Sequence, residues 1–263
     1  MSTIVQTESD LCHIVAALNE NAMTLASRMH LACDAVIVNQ CHEDGRNEYT
    51  YDGHRIRVVN ASERGVGRSR NQGLLLSEAP VTLIGDEDII YHEGYAETIL
   101  RAFHEHPEAD VLLFNVEQSE GRQTYRNKDF ARVRFYSCGR YPAYSIAIRT
   151  ARQREANVWF SLLFGGGARY MAGEDSLFLT DCLRKGLRIY RTPESIGREI
   201  ARESTWFEGY TEKFFRDRGA LYRALYGGWA PFLGFLYLCK NKGEWLTGRT
   251  FSEAWRLLRE GMR

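Results

Sequence analysis

Four short, almost uninterrupted apolar runs, at residues 11–17, 34–39, 81–84 and 109–115, constrain this 263-residue chain more than any other feature. Runs of strand length without polar alternation fit strands covered on both faces, as in a parallel sheet sandwiched by helices. Between the first two lies a helix candidate, capped by Asn19 or Asn21, with Leu25, Ala26 and Met29 on its apolar face. Strand, helix, strand is the opening of a parallel sheet. Residues 55–60 alternate and read as a half-exposed strand, reached from the second run through a polar loop. Further on, 94–105 reads as an amphipathic helix, 118–134 as hairpins or an excursion at the sheet edge, 145–149 as a short strand. Residues 152–163 read as a helix and 187–191 as a returning strand. The expected class is α/β, a mostly parallel central sheet flanked by helices.

A hydrophobic content of 44% supports a full core, either one large domain or a domain with an appendage. Lys plus Arg (34) equals Asp plus Glu (34), so no global field favours nucleic acid, and no nucleic-acid partner is expected. The six cysteines, at 12, 33, 41, 138, 182 and 239, have neither paired C-x-x-C nor zinc-finger spacing. Reduced thiols in a cytoplasmic protein follow. The polar, acidic N-terminus, with Glu8 and Asp10, does not read as a secretory leader.

Chemistry concentrates where the third run ends, in Asp86-Glu87-Asp88. Residues i and i+2 of an extended segment share a face, so Asp86 and Asp88 can converge on one ligand while Glu87 points away. Hard carboxylate oxygens suit Mg²⁺ or Mn²⁺, which keeps open positions for a substrate's phosphates. An acidic surface turn is the competing reading. Upstream, Glu63 to Leu76 carries Gly65 and Gly67 into a helix with Arg64, Arg68 and Arg70 beside them, an arrangement able to hold an anion. Downstream, a loop containing Gly165, Gly166 and Gly167 precedes Glu174 and Asp175 at a helix N-terminus, where carboxylates are expected to keep low pKa values. Ordinary capping is the alternative there.

Three motifs in order, Arg68-Ser69-Arg70-Asn71, Asp86-Glu87-Asp88 and Gly173-Glu174-Asp175, resemble those of glycosyltransferase family 2, enzymes of the GT-A (Rossmann-like) fold that transfer a sugar from a nucleoside diphosphate. The resemblance spans roughly Leu11 to Ala220. Segments at 34–41, 63–65 and 204–210 are similar to a bacterial subgroup associated with exopolysaccharide and surface-glycan synthesis. It implies an inverting transfer from a nucleotide-sugar donor, a UDP-sugar in the first instance, to a glycan or lipid-linked acceptor. The resemblance assigns the nucleotide to Ala17, Asn39, Gln40, Arg70 and Asp86, the metal ion to Asp88 with Asp86, and the catalytic base to Asp175. Glu174 and Trp206 become candidate sugar contacts. Asn39-Gln40 stands where the family commonly has an acidic uracil reader, and the first strand lacks the usual proline-bearing ending. A sugar nucleotidyltransferase and a non-catalytic sugar-nucleotide-binding or scaffold protein are the alternatives.

Residues 1–10 read as an extension, 11–218 as the catalytic domain and 219–263 as a helical, apolar and basic segment. The run at 230–239 is too short to span a bilayer. Its aromatics and flanking Lys240, Lys242, Arg249, Arg256 and Arg259 suit an interfacial helix, peripheral on the cytoplasmic face of the inner membrane. Packing on the catalytic domain or on a second copy, as a homodimer, is the other reading. His13 reads as a core or edge histidine, and Tyr210, like Trp206, as a sugar platform or a core residue.

Overall fold

The computed structural model describes residues 9–118, 125–200, 209–246 and 248–263. The first half supplies β1 (Leu11–Leu18), α1 (Ala22–Met29), β2 (Asp34–Gln40), β3 (Gly45–Tyr51), β4 (His54–Ala61), α2 (Val66–Leu76) and β5 (Val81–Asp86). The second adds β6 (Ile89–Tyr91), α3 (Tyr95–Glu105), β7 (Val111–Glu117), β8 (Ala131–Arg132), β9 (Ile146–Arg149), α4 (Thr150–Glu155), α5 (Glu174–Arg184) and β10 (Ile189–Glu199). Three helices follow: α6 (Glu212–Tyr226), α7 (Ala230–Trp245) and α8 (Phe251–Gly261).

Among the described residues the strands form one ten-stranded sheet in the order β3-β4-β2-β1-β5-β9-β7-β10-β6, with β8 paired to β10. The block β4-β2-β1-β5 is parallel. Antiparallel pairings bring in β3, β6, β8 and β9 around it. β1 is buried along almost its whole length, as its unbroken apolar run requires. Its alternate residues feed two cores. Leu11 and Val15 pack with Leu25 and Met29 of α1 and Ile99 and Phe103 of α3, while Ile14 packs with Leu74 of α2 and Phe178 of α5. Each such aliphatic side chain contributes about 1.5–3 kcal/mol on burial. From β1 the chain moves outward through β2 to β4, then returns to add β5 on the other side of β1. Where strand order reverses, the carboxyl ends of parallel strands leave a crevice for ligands. That crevice lies at the ends of β1 and β5.

Several elements depart from the expectation. Asn21, not Asn19, caps α1, its side chain accepting from Met23 N–H. The polar loop after β2 contains β3, joined to β4 through Asp52-Gly53, both with positive φ (48° and 81°), as a two-residue hairpin turn requires. The helix expected over 152–163 ends at Glu155, because Asn157 takes a left-handed conformation (φ 50°). The returning strand is longer than expected, running to Glu199. All six cysteines are free thiols.

The C-terminal segment folds into helices with a core of their own, in which Phe215 of α6, Leu238 of α7 and Leu257 of α8 are fully buried. α6 begins at Glu212, ahead of the 219 boundary, and joins the rest of the chain through Leu221 and Leu225 packed with Leu177 of α5. Among the described residues no helix is long and apolar enough to cross a membrane.

Candidate active site

Arg70 is the hub. α2 starts at Gly65, whose φ of 129° suits glycine, and two contacts fix that start. Gly65 N–H donates to Gln40 Oε1 (2.7 Å), and Val66 N–H donates to the Gly166 carbonyl (2.9 Å). One turn on, Arg70 extends into the crevice with only 4% of its side chain exposed. Its Nη2 donates to both oxygens of Asp86 at the end of β5 (2.9 and 3.1 Å). Its Nη1 donates to Glu174 Oε1 (3.0 Å) and Asp175 Oδ1 (2.9 Å) in the first turn of α5. The Phe160 ring lies against the guanidinium at 5.2 Å. Asn71 holds that ring in place by bonding both the N–H and the carbonyl of Phe160 (2.8 and 2.9 Å).

One guanidinium thus gathers three carboxylates. Burial works against its charge, but Asp86, Asp175 and Glu174 together outweigh burial and hold Arg70 firmly protonated. Asp175 shifts upward from the ordinary carboxylate range, first through burial and then through Glu174 beside it, with Arg70 pulling it back. This corrects the expectation of a low pKa at this helix N-terminus. A neighbouring carboxylate and lost hydration outweigh the helix dipole. The N-cap is Gly173 (φ 114°), where an added Cβ would strike Leu221 of α6.

The structure therefore brings Arg70, Asp86, Glu174 and Asp175 together. Ala17 lies next door, paired in register with Asn39, while Ala16 pairs with Asp86. Asn39 and Gln40 make contacts that hold the scaffold. The Asn39 amide accepts from Glu20 N–H (3.0 Å) and donates to the Glu20 carbonyl (2.9 Å), clamping the loop after β1, and Gln40 holds Gly65. The strand ends at Asp86 and residues 87–88 form a turn, so the shared strand face invoked for Asp86 and Asp88 stops short of Asp88. Asp88 is half-buried, and both it and Asp86 act on the Tyr91 hydroxyl. Trp206 lies outside the described residues. Tyr210 packs edge-on against Phe214 and near Trp245, a core role.

Carboxylate oxygen is the donor type that a hard divalent ion prefers, and the donors expected from the sequence are Asp86 and Asp88. Among the described residues no three His, Cys, Asp or Glu side chains group to hold a metal by themselves. Both oxygens of Asp86 accept from Arg70, and Asp88 sits in the turn that follows β5. An ion held through few protein oxygens completes its shell from water and phosphate.

Sequence reading missed the support beneath Asp86. His13 is fully buried, as expected of a core histidine, and burial lowers it to about 3, so it is neutral. It stacks edge-on against Tyr91 (4.5 Å between ring centres), and its Nδ1 meets the Tyr95 hydroxyl (3.3 Å). Both His13 and Tyr91 press on Gly85, where an added Cβ would strike His13 and lie 2.8 Å from the Tyr91 oxygen. Gly85→Ala is expected to lower stability by about 1–3 kcal/mol, read from the denaturant midpoint. An unchanged midpoint would show that the pocket yields.

A groove of about 550 Å³ opens between residues 135–140 and helices α6 and α7, with Tyr136, Arg140, Ser176, Tyr226, Tyr237 and Lys240 in its walls. Ser176 follows Asp175 on α5, and its hydroxyl donates to the Gly139 carbonyl (3.1 Å). Tyr237 lies nearly parallel to Tyr222 (5.2 Å) and Tyr226 (6.4 Å).

Comparison with known proteins gives three findings. The family described as Glycosyl transferase family 2 matches residues 11–163. A search of curated proteins gives no match. Among solved structures, S. aureus TarS 1-349 in complex with UDP-GlcNAc is similar at a TM-score of 0.58 and 16% identity, over 89% of this chain and 73% of that one. A longer S. aureus TarS structure is similar at 0.59 and 17% identity, over 88% of this chain but 43% of its own length. A further structure of S. aureus TarS 1-349 is covered over 65% of its length. The mannosyltransferase PcManGT from Pyrobaculum calidifontis, in complex with GDP-Man and Mn²⁺, is similar at 0.51 and 11% identity, over 98% of this chain and 70% of that one. These likenesses establish the GT-A-like fold.

Proposed function

The chain belongs to glycosyl transferase family 2, and on that premise we propose that it is a metal-dependent, inverting transferase. It moves a sugar from a nucleoside diphosphate, with UDP the first candidate, to a hydroxyl of a glycan or lipid-linked acceptor in bacterial surface-polysaccharide assembly. The observation that carries this reading is Asp175, a carboxylate of raised pKa held by Arg70 against Asp86 at the sheet's switch point. UDP-GlcNAc in TarS and GDP-Man with Mn²⁺ in PcManGT support a nucleotide-sugar donor on this fold.

Asp175 takes the proton of the acceptor hydroxyl as that oxygen attacks the anomeric carbon, and the bond to the diphosphate breaks on the opposite face. Its raised pKa makes it the stronger base. Arg70 fixes its orientation, and Asn71 and Phe160 fix Arg70. A double displacement would need a second carboxylate free to attack. Glu174 does not offer one, because Oε1 accepts from Arg70 and Oε2 from Gly173 N–H (3.1 Å). Mn²⁺ or Mg²⁺, when bound at Asp88, would supply positive charge to stabilise the departing diphosphate. The aromatic groove beside Ser176 accommodates the acceptor, with Tyr226 and Tyr237 as faces for sugar rings.

Calorimetric titration with UDP, GDP and CDP, each with and without Mn²⁺, tests this. One nucleotide is expected to bind in a metal-dependent way, and Asp88→Ala to weaken it by at least on the order of 10-fold. Folded protein that binds none of the three would favour the scaffold alternative. Pyrophosphate release from a nucleoside triphosphate and a sugar phosphate would favour a nucleotidyltransferase.

A further inference from the structure

α7 is apolar on two faces. Its inner face, Ala230, Gly234, Leu238 and Trp245, is buried in the helical core. Its outer face carries Phe232, Phe235 and Leu236, which are 58%, 42% and 48% exposed, and Trp229 precedes it at 71%. These residues form a surface rather than isolated side chains. Trp229 meets Phe232 edge-on (6.4 Å), and Phe235 meets Phe251 (5.6 Å) and Trp255 (5.5 Å) of α8, so the apolar face crosses two helices.

The charges around this face are predominantly positive. Along α7 the stripe runs into exposed Lys240 and Lys242, and on α8 exposed Arg259 stands one turn beyond Trp255. Of the three carboxylates on α7 and α8, Glu260 is paired with Arg216 and Arg256, while Glu253, which caps α8 at Thr250, and Glu244, which accepts from the Tyr210 hydroxyl, keep their charge and are outnumbered. Across 219–263 there are seven cationic side chains and three carboxylates. Docking this face symmetrically on a second copy would bring like charges to one interface, because a two-fold contact pairs a patch with itself. An anionic surface has the complementary charge.

We propose that the outer face of α7, continued by Phe251 and Trp255 of α8, docks on an anionic lipid interface. The aromatic and leucine side chains enter the boundary between headgroups and acyl chains. Lys240, Lys242 and Arg259 place their charges among the lipid phosphates while their stems follow the apolar surface. The helix lies on the bilayer rather than across it. The groove that Ser176 lines, one residue after Asp175, shares Tyr237 and Lys240 with this helix, so an acceptor anchored in the same interface would reach that groove. The docking itself does not depend on the transfer chemistry.

Co-sedimentation of the full chain with vesicles of phosphatidylcholine, alone or with about a third phosphatidylglycerol, tests the proposal. Binding is expected to the mixed vesicles and to fall with salt. Phe232→Ser with Leu236→Ser is expected to weaken it on the order of 10-fold or more, and Lys240→Glu with Lys242→Glu to remove the preference for anionic lipid. An unchanged circular dichroism spectrum and thermal midpoint confirm that each variant is folded, whether or not the chain transfers sugar. No binding by the parent chain, or binding unchanged in the serine variant, overturns the proposal. A vesicle-free dimer that the serine variant dissociates overturns it in favour of a second copy.

Discussion

Asp175→Asn is expected to lower kcat by roughly 10²–10⁴-fold while nucleotide affinity stays within about twofold. The amide keeps the oxygen that accepts from Arg70 Nη1 and the shape that fills the first turn of α5. What it loses is the capacity to take a proton. The raised pKa of Asp175 adds a pH signature with opposite signs for activity and stability. Between its unfolded and folded values, the folded chain retains a proton that the unfolded chain has released. Stability contributed by this group is therefore full below the ordinary aspartate value and falls as pH rises through the window. The fraction of Asp175 able to act as base rises over the same window. Asp175→Asn should abolish both slopes, measured as a pH–rate profile and as denaturant midpoints across the same pH range. A variant that retains the parent's kcat would remove Asp175 from the reaction.

The parts of this site differed in how visible they were in one dimension. Asp86 was legible because an apolar run ending in a carboxylate delivers that group to a sheet edge, and Gly173-Glu174-Asp175 because a glycine entering a helix leaves a mark. Arg70 was legible as a candidate, but its contacts were not. Its partners lie 16, 104 and 105 positions away, and no local pattern records which charges will meet. Asn39 and Gln40 are nucleotide candidates through the resemblance, which puts a base reader at the end of the second strand; that their amides also hold a neighbouring loop and a helix start had no mark in the sequence. β3 escaped because most of it is exposed and its side chains do not alternate. Asp52-Gly53 was the signal that could have found it. The helix at 152–163 was overextended because apolar residues at 158–163 mimic a helical face. Asn157 and the Asn71 clamp on Phe160 decide otherwise. His13, Tyr91 and Tyr95 form a buried cluster whose members come from two strands and a helix, so neither periodicity nor spacing marks it.

Arg70→Met carries the second large effect, and it discriminates between two roles for the arginine. Methionine fills much of the same volume against Phe160 but leaves Asp86, Glu174 and Asp175 with no cation between them. Removing one partner of a buried charge network costs about 3 kcal/mol, because the remaining charges are dehydrated and repel. The loss should be large at neutral pH and much smaller in acid, where protonated carboxylates no longer repel. Loss of the guanidinium also removes the largest influence that pulls Asp175 back down, so the acid limb of the pH–rate profile should move further towards alkaline pH. Arg70→Lys should recover only part of either effect, since a single ammonium cannot reproduce the fork that reaches Asp86 on one side and the α5 carboxylates on the other. Adding Asp175→Asn to Arg70→Met should return some stability, giving a coupling energy of the kind found between contacting residues. An arginine whose main task was to grip a phosphate would behave differently, losing nucleotide affinity with stability within about 1 kcal/mol of the parent at every pH. Denaturation curves at neutral and acid pH, beside nucleotide titrations of the same variants, separate the two.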